Sequence, residues 1–190
     1  MGFADYAPGH RLSQGRLVAA SLGGGLAGYG AEMTHQWAGV WALTDSQAMP
    51  WWIFIAYAVA LYGAGRVFYL AERRFGFPVG WSLAGVALEG TIVATLFLLA
   101  ALLHRWELLL LGLTAVFLVA RLVFFRQEGD VWIMLFVMAL DYGLESILAA
   151  VPLFRYQHAD TLILPLWLLP FWGTLGLSLR RLFQITRAPA

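Results

Sequence analysis

Two carboxylates stand four residues apart in a stretch that is otherwise apolar. The stretch is residues 131–154, VWIMLFVMALDYGLESILAAVPLF, and its acids are Asp141 and Glu145. Residues four apart share one face of a helix, so both side chains point the same way. Carboxylates held close together in a medium of low polarity are not ionised equally, so one can serve as an acid and another as a base. Such acids can instead be protonated or hydrogen-bonded and tie helices together, or they can hold a lipid hydroxyl or headgroup.

Further ionisable side chains lie inside other apolar stretches. Glu32 and His35 are three apart and share a helical face, and Glu89 lies in a different stretch. Glu-x-x-His is the spacing used by di-metal proteins built on helical bundles, but those sites need two such motifs and two further Glu. Glu32 and His35 are therefore weak metal-ligand candidates, and we expect no metal and no other cofactor.

Roles can be assigned provisionally to these side chains. The candidate catalytic acids are Asp141, Glu145 and Glu89. The candidate lipid-binding set consists of Asp141, Glu145, Glu89, Glu32 and His35. Arg121 is near the end of its apolar stretch and is expected to extend toward the headgroups. The polar residues of two turns are expected to be solvated, namely His104, Glu107, His158 and Asp160.

The composition is that of a polytopic membrane protein. Of 190 residues, 61% are hydrophobic and 12% charged, whereas a soluble domain has about 25% charged residues. The net charge of +1 indicates no nucleic-acid partner. There is no Cys, which excludes disulfides, Fe–S clusters and thiolate zinc sites. All twelve basic side chains are Arg, which excludes a Schiff-base Lys.

Six segments are long and apolar enough to cross a bilayer, which takes about 20 helical residues. They are residues 17–41, 51–71, 81–103, 106–125, 131–154 and 162–183. The predicted fold is all-α, a polytopic membrane protein whose residues 1–190 form a single bundle of six transmembrane helices. Pro165 and Pro170 predict a kink in the sixth span, which either lines a cavity or only shapes the helix.

Arginine is distributed unequally between the two faces of the predicted bundle. One face receives eight, namely Arg11, Arg16, Arg73, Arg74, Arg126, Arg180, Arg181 and Arg187, and the other receives Arg105 and Arg155. Positive charge concentrates on the cytoplasmic side of membrane proteins. Both termini are therefore predicted to be cytoplasmic. The compact loops and the lack of Lys favour the inner membrane of a bacterium.

The first span contains the glycine-rich run GGGLAGYG. Gly24 and Gly28 have the small-xxx-small spacing that allows two helices to approach closely. The spacing suits tight packing inside one chain, and it also suits a homo-oligomer contact through these two glycines.

The C-terminal third resembles the last two spans of the Insig (insulin-induced gene) family. The similar stretch is LESILAAVPLFRYQHADTLILPLWLLPFWGTLGLSLRRL, with matching residues at Phe154, Tyr156, Pro165, Gly176 and Arg180. The family's Trp-Trp start of the second span is matched by Trp51 and Trp52. The turn FFRQEG resembles the family's basic turn between spans four and five.

The resemblance implies a small lipid-binding bundle without catalysis, in which a central membrane cavity accepts a sterol or a diacylglycerol-like lipid. The leading hypothesis is accordingly a lipid-binding protein whose cavity holds a diacylglycerol-, sterol- or isoprenoid-like lipid, with a membrane lipid as its partner. One alternative is an integral-membrane enzyme that acts on a lipid by carboxylate acid/base or metal-assisted chemistry. A second is a small proton-coupled transporter.

Overall fold

The structure, a computed structural model, describes residues 11–44, 49–150, 154–157 and 164–188. Within them lie six helices: α1 (Gln14–Ala38), α2 (Trp52–Phe75), α3 (Leu83–Leu103), α4 (Glu107–Phe124), α5 (Asp130–Ala150) and α6 (Leu168–Gln184). Helices α2 to α5 are each long and apolar enough to cross a membrane. The protein is an all-α polytopic membrane protein, as its composition predicts.

Four short strands form two antiparallel pairs that close the bundle at its two ends. Their bounds are β1 (Arg11–Leu12), β2 (Trp41–Leu43), β3 (Phe154–Tyr156) and β4 (Arg187–Ala188). β1 pairs with β4, which brings together the segments that flank α1 and α6. We call this end of the bundle the terminal side. β2 pairs with β3 at the other end of those helices, which we call the far side.

Helix α6 is the inner helix of the bundle. It packs against α2, α3, α4 and α5, and most of its residues are buried. Glycines bring α5 close to it, since a Cβ on Gly176 would lie 2.8 Å from Val137 and a Cβ on Gly173 would lie 3.0 Å from Met138. Because α6 has neighbours on nearly every side, its polar residues Thr174, Arg180 and Gln184 bond protein groups rather than facing lipid.

Glycines also bring α1 against α2, its main neighbour. A Cβ on Gly24 would lie 2.8 Å from Leu61, and a Cβ on Gly28 would lie 3.2 Å from Tyr57. Of the two predicted uses of this spacing, the structure shows close packing within the chain. The face that carries Gly24 and Gly28 is therefore occupied by α2, and a homo-oligomer would have to use another surface.

Several helix ends differ from the predicted spans by three residues or more, including the end of α2, which lies at Phe75 rather than at residue 71. α1 ends at Ala38 rather than at residue 41, because Gly39 adopts a left-handed φ of +80° that satisfies the last carbonyls of the helix. α5 ends at Ala150, residues 151–153 lie outside the described residues, and Phe154 already belongs to a strand. α6 begins at Leu168 and has 17 residues, which is at the lower limit of the length that spans a bilayer.

The two prolines of the last span do not kink it. Pro165 precedes the helix, and its carbonyl accepts a hydrogen bond from the Leu168 N–H at 3.2 Å. Pro170 lies in the first turn of α6, where backbone N–H groups have no partner within the helix and proline is tolerated. The predicted kink was wrong because α6 begins later than its apolar pattern does.

Close packing of α5 on α6 predicts that Gly176→Ala lowers thermal stability. The added methyl would overlap Val137, which is stiff at Cβ, so the helices must separate, at a cost of about 1–3 kcal/mol. The matched control is Gly112→Ala in α4, where an added Cβ meets no atom within 4 Å. Thermal denaturation in detergent, followed by tryptophan fluorescence, should show a lower midpoint for the first variant only; equal midpoints would contradict the packing argument.

Candidate functional site

Two carboxylates in the far-side half of the bundle are each held by two neutral donors. Glu32 on α1 accepts from the Trp41 indole N–H and the Tyr57 hydroxyl, both at 2.7 Å. Glu145 on α5 accepts from the Tyr156 hydroxyl at 2.6 Å and the Trp172 indole N–H at 2.9 Å. Both oxygens of each carboxyl are thus engaged, and each retains a lone pair for a further donor.

The β2–β3 strand pair delivers one donor to each carboxyl. Trp41 and Tyr156 are directly paired in its register. Tyr156 lies after α5 and still reaches back to Glu145, because the strand folds against the far end of the bundle. Burial, together with the nearby Glu145 carboxyl, raises the pKa of the Tyr156 phenol well above its usual value. The phenol therefore keeps its proton and remains a hydrogen-bond donor.

Glu32 and Glu145 line one small cavity with His35. Its remaining lining is apolar or aromatic: Val40, Phe97, Tyr156, Trp167, Leu168, Phe171 and Trp172. Between these side chains lies a volume of about 10 Å³ that the centre of a water molecule can occupy. This is room for about one water molecule. The site therefore presents acceptor oxygens within an aromatic wall and accommodates a single small polar group.

His35 has a tautomer that its contacts define. Its Nε2 lies 3.0 Å from the Phe97 carbonyl oxygen, and because a carbonyl only accepts, Nε2 carries a hydrogen. Its Nδ1 lies 3.8 Å from a Glu32 oxygen, beyond hydrogen-bond distance. The ring also packs on Phe97, with the centroids 5.2 Å apart. His35 is thereby fixed beside Glu32 with Nδ1 directed toward the carboxyl group.

The structure separates the acids named from the sequence. Glu32, His35 and Glu145 line the cavity, and Asp141, on α5 four residues before Glu145, is half-buried outside its lining. Glu89 lies elsewhere, on α3, where it pairs with Arg121 and Arg181. Among the described residues no group of three or more carboxyl, His or Cys side chains is arranged to hold a metal ion.

A second polar cluster fills the terminal side of the bundle. Four guanidinium groups alternate with three carboxylates in one connected series, which we call the ion-pair chain: Arg187, Glu72, Arg180, Asp130, Arg181, Glu89 and Arg121. Its members come from α2, α3, α4, α5, α6 and β4. It therefore ties five helices to the end of the chain.

The centre of the ion-pair chain is fully buried. Arg180 has no exposed surface and donates to Glu72 at 3.3 Å and to Asp130 at 2.6 Å. Gln184 adds a hydrogen bond to Glu72 at 3.0 Å. Charges in such a place persist only when they are paired and hydrogen-bonded, so each member depends on its neighbours.

Several expectations for polar residues were wrong. Arg121 does not extend outward but is buried against Glu89. His104 and Glu107, expected to be solvated, are buried, and Glu107 accepts the Leu166 N–H at 2.9 Å ahead of α6. His158 and Asp160 lie outside the described residues. Buried partners from distant segments explain these differences, since a local sequence window does not contain them.

Sequence reasoning also missed residues that build both centres. Tyr57, Trp41, Tyr156 and Trp172 supply the donors to the two far-side carboxyls, and Glu72 and Asp130 supply acids to the ion-pair chain. The aromatic donors resemble ordinary interface aromatics. Glu72 and Asp130 stand near predicted span ends, where charge is expected. The arginines at the end of α6, Arg180, Arg181 and Arg187, were a signal that could have indicated buried acids, but they were assigned to the cytoplasmic charge bias.

Comparison with solved structures identifies the architecture. The crystal structure of the Insig homolog MvINS from Mycobacterium vanbaalenii matches with a TM-score of 0.79 and 16% identity, over 95% of this chain and 99% of that chain. The chain has an Insig-like fold. A cross-linked MvINS trimer matches with a TM-score of 0.78 and 17% identity, over 93% of this chain and 96% of that chain. Scans against protein-family models and against curated proteins found no match.

The Insig-like fold covers nearly the whole chain, whereas the sequence resemblance covered mainly its last third. Three of the residues on which the resemblance rested have a structural role in this chain. Tyr156 donates to Glu145, Gly176 allows α5 to approach α6, and Arg180 centres the ion-pair chain. The predicted resemblance is confirmed at the level of the fold.

The ion-pair chain predicts that Arg180→Gln is strongly destabilising. The substitution leaves the buried Glu72 and Asp130 without their shared cation, which typically costs about 3–5 kcal/mol. Arg73→Gln removes the same charge from an exposed position of α2 and should have little effect. Yield and thermal midpoint in detergent measure the difference. Similar midpoints for the two variants would mean that the ion-pair chain does not hold the bundle together.

Proposed function

We propose that the protein binds a membrane lipid that carries a free hydroxyl group, and that this hydroxyl occupies the far-side cavity. The observation that carries the proposal is the convergence of Glu32, Glu145 and His35 on one aromatic-lined space. Ionisable groups inside a membrane protein usually mark a functional site. Here they offer acceptors to a donor from outside the chain.

The size of the cavity favours a hydroxyl over a larger polar group. A volume of about 10 Å³ for the centre of a water molecule matches one hydroxyl and is too small for a phosphodiester headgroup. A hydroxyl would fill this space and donate to a lone pair of Glu145 or Glu32. Diacylglycerols, sterols and isoprenols all have such a hydroxyl on an apolar body.

The walls suit the apolar body that follows the hydroxyl. Phe97, Phe171 and Trp167 form a continuous edge-to-face array, with centroids 5.3 Å apart for Phe97–Phe171 and 5.6 Å for Trp167–Phe171. Rigid aromatic surfaces bury apolar area at low entropic cost. The resemblance to the Insig family points the same way, because it implies a central membrane cavity for a sterol or diacylglycerol-like lipid.

The proposal assigns different roles to the predicted residues. Glu145 and Glu32 accept from the lipid hydroxyl, and His35 lines the cavity beside Glu32 and limits its width. Asp141 lies one helical turn from Glu145 and contacts the part of the lipid nearer the terminal side. Glu89 is left out of the site, because Arg121 and Arg181 already pair with it.

A matched pair of lipids tests the hydroxyl. The protein, purified in mild detergent, is titrated with dioleoylglycerol and with its acetyl ester, which has the same chains and no free hydroxyl. Tryptophan fluorescence reports binding, because Trp167 and Trp172 line the cavity. We expect dioleoylglycerol to bind at least tenfold more tightly. Cholesterol and farnesol, each compared with its acetyl ester in the same assay, would identify the lipid class. Equal binding of an alcohol and its ester, or no binding of any of the three alcohols, would refute the proposal.

A second comparison tests the carboxyl. Glu145→Leu removes both acceptor oxygens at similar volume and should abolish the preference for the free hydroxyl. Glu128→Leu, at an exposed position near the terminal side, removes the same charge away from the cavity and should keep it. A folded Glu145→Leu variant, judged by circular dichroism, that still prefers the free hydroxyl would show that Glu145 is not its acceptor.

We propose, from the arginine distribution, that the terminal side faces the cytoplasm of a bacterial inner membrane. The chain has no Cys, so single introduced thiols report topology directly. Arg126→Cys and Arg105→Cys place exposed thiols at the two ends of α4. In intact spheroplasts a membrane-impermeant maleimide should label position 105 and spare position 126. The reverse pattern would invert the assignment.

A homo-oligomer is compatible with the fold, since MvINS is described as a cross-linked trimer. We infer that such an assembly of this chain uses lipid-facing helix surfaces rather than Gly24 and Gly28, which pack on α2.

A further inference from the structure

The ion-pair chain is not electrically balanced. Among the described residues it contains four guanidinium groups and three carboxylates, and it begins and ends with an Arg. Each terminal Arg shares its charge with a single carboxylate, whereas Arg180 and Arg181 each lie between two. One positive charge is therefore in excess within a cluster that is mostly withdrawn from solvent.

The excess charge coincides with unsatisfied donors. Every guanidinium in the ion-pair chain has at least one buried nitrogen without a hydrogen-bond partner: Nε and Nη1 of Arg121, Nη2 of Arg180, Nε of Arg181, and Nε and Nη1 of Arg187. Buried polar groups are normally hydrogen-bonded, and an unsatisfied group costs about 1–3 kcal/mol. These donors require acceptors from outside the described side chains.

The two ends of the ion-pair chain differ in what surrounds them. At one end, Arg121 and Arg181 share a single oxygen of Glu89, so two guanidinium groups converge on one acceptor. Three unpartnered nitrogens belong to this pair. At the other end, Glu72 accepts from Arg180 and Arg187 on different oxygens, and Arg187 stacks on Tyr69 at 4.7 Å. The Arg121–Arg181 end differs in having an unpartnered carboxylate oxygen, Glu89 Oε2, beside its unpartnered donors.

We propose that Arg121 and Arg181 bind a phosphate monoester, with Glu89 accepting a hydrogen bond from its protonated oxygen. The oxygens of such a group would accept from the unpartnered Arg121 and Arg181 nitrogens, and its charge would neutralise the excess. Glu89 Oε2 is itself buried and without a partner. A hydrogen phosphate supplies acceptors and one O–H donor together, whereas sulfate supplies acceptors only.

Access to this site runs along Arg181. Its side chain is 14% exposed, while those of Arg121 and Glu89 are 2% and 3% exposed. Phe124, at the end of α4, and Phe125, directly after it, are exposed apolar side chains, as expected of a surface that faces lipid. The phosphate is therefore either the headgroup of a lipid such as phosphatidic acid or a free phosphate from the aqueous phase.

Calorimetry on the detergent-purified, full-length protein separates these sources. The probes are short-chain phosphatidic acid, inorganic phosphate and sulfate, with chloride holding ionic strength constant and short-chain phosphatidylcholine as the lipid blank. We expect at least tenfold tighter binding of phosphate than of sulfate. Binding of phosphatidic acid alone assigns the site to a lipid, and binding of inorganic phosphate alone assigns it to a soluble anion. Absence of both, or equal binding of sulfate, overturns the proposal.

Variants locate the site within the protein. Arg181→Gln should weaken phosphate binding at least tenfold, and Arg181→Lys, which keeps the charge and loses the fork of donors, should weaken it by less. Arg74→Gln removes an exposed charge from the same side and should change affinity by less than twofold. An effect of Arg74→Gln equal to that of Arg181→Gln would overturn the assignment, as would unaltered binding by the Lys and Gln variants.

The far-side cavity provides an independent check. Glu145→Leu should leave phosphate binding unchanged, because the residue belongs to the other polar centre. If Glu145→Leu loses the preference for the lipid hydroxyl and still binds phosphate, both site assignments are supported. If Glu145→Leu loses phosphate binding, the location of the phosphate at Arg121 and Arg181 is contradicted.

Discussion

The fold depends on one buried cation on its inner helix. Arg180 lies on α6 with no exposed surface and bonds both Glu72 at the end of α2 and Asp130 at the start of α5. A helix that carried this charge toward lipid would be unstable, since charge in hydrocarbon is costly. Enclosure by α2, α3, α4 and α5 removes that penalty. The charge thereby fixes which helix is central, and the apolar helices take the lipid-facing positions.

The two polar centres differ in the donors that surround their acids, and this difference decides their chemistry. Arginine neutralises the acids of the terminal side, where charge is paired within the chain. Tyrosine hydroxyls and indole N–H groups surround Glu32 and Glu145, which have no Arg partner among the described contacts. Neutral donors orient a carboxyl without compensating its charge. Each carboxyl oxygen of the far-side acids thus keeps a lone pair for an outside donor, which the proposed binding of a lipid hydroxyl would use.

Much of the fold can be predicted from the sequence, but the distribution of its acidic residues between the two polar centres cannot. Long apolar runs locate α2 to α5, since hydropathy is a local property. The intramembrane Glu32, His35, Glu89, Asp141 and Glu145 are recognisable one by one. How these residues group depends on the rotation of each helix and on segments distant in sequence. Tyr156 bonds Glu145 only because β3 pairs with β2. Arg121 forms its salt bridge with Glu89 only because α3 and α4 pack around α6. Neither contact can be predicted from the periodicity of a local stretch of sequence.

The β2–β3 strand pair closes the far-side cavity, so the proposed binding of a lipid hydroxyl depends on this strand pair. Trp41 and Tyr156 are cross-strand partners, and each donates to a different carboxyl, so the strand pair and the two helices that carry Glu32 and Glu145 are held as one unit. A lipid hydroxyl that enters this water-sized space competes with no intramolecular bond, because each carboxyl oxygen has a second lone pair. The apolar body of the lipid must instead part aromatic side chains. In the proposed binding, selectivity would come from the hydroxyl, and opening the cavity would disrupt packing between helices and strands rather than the polar network.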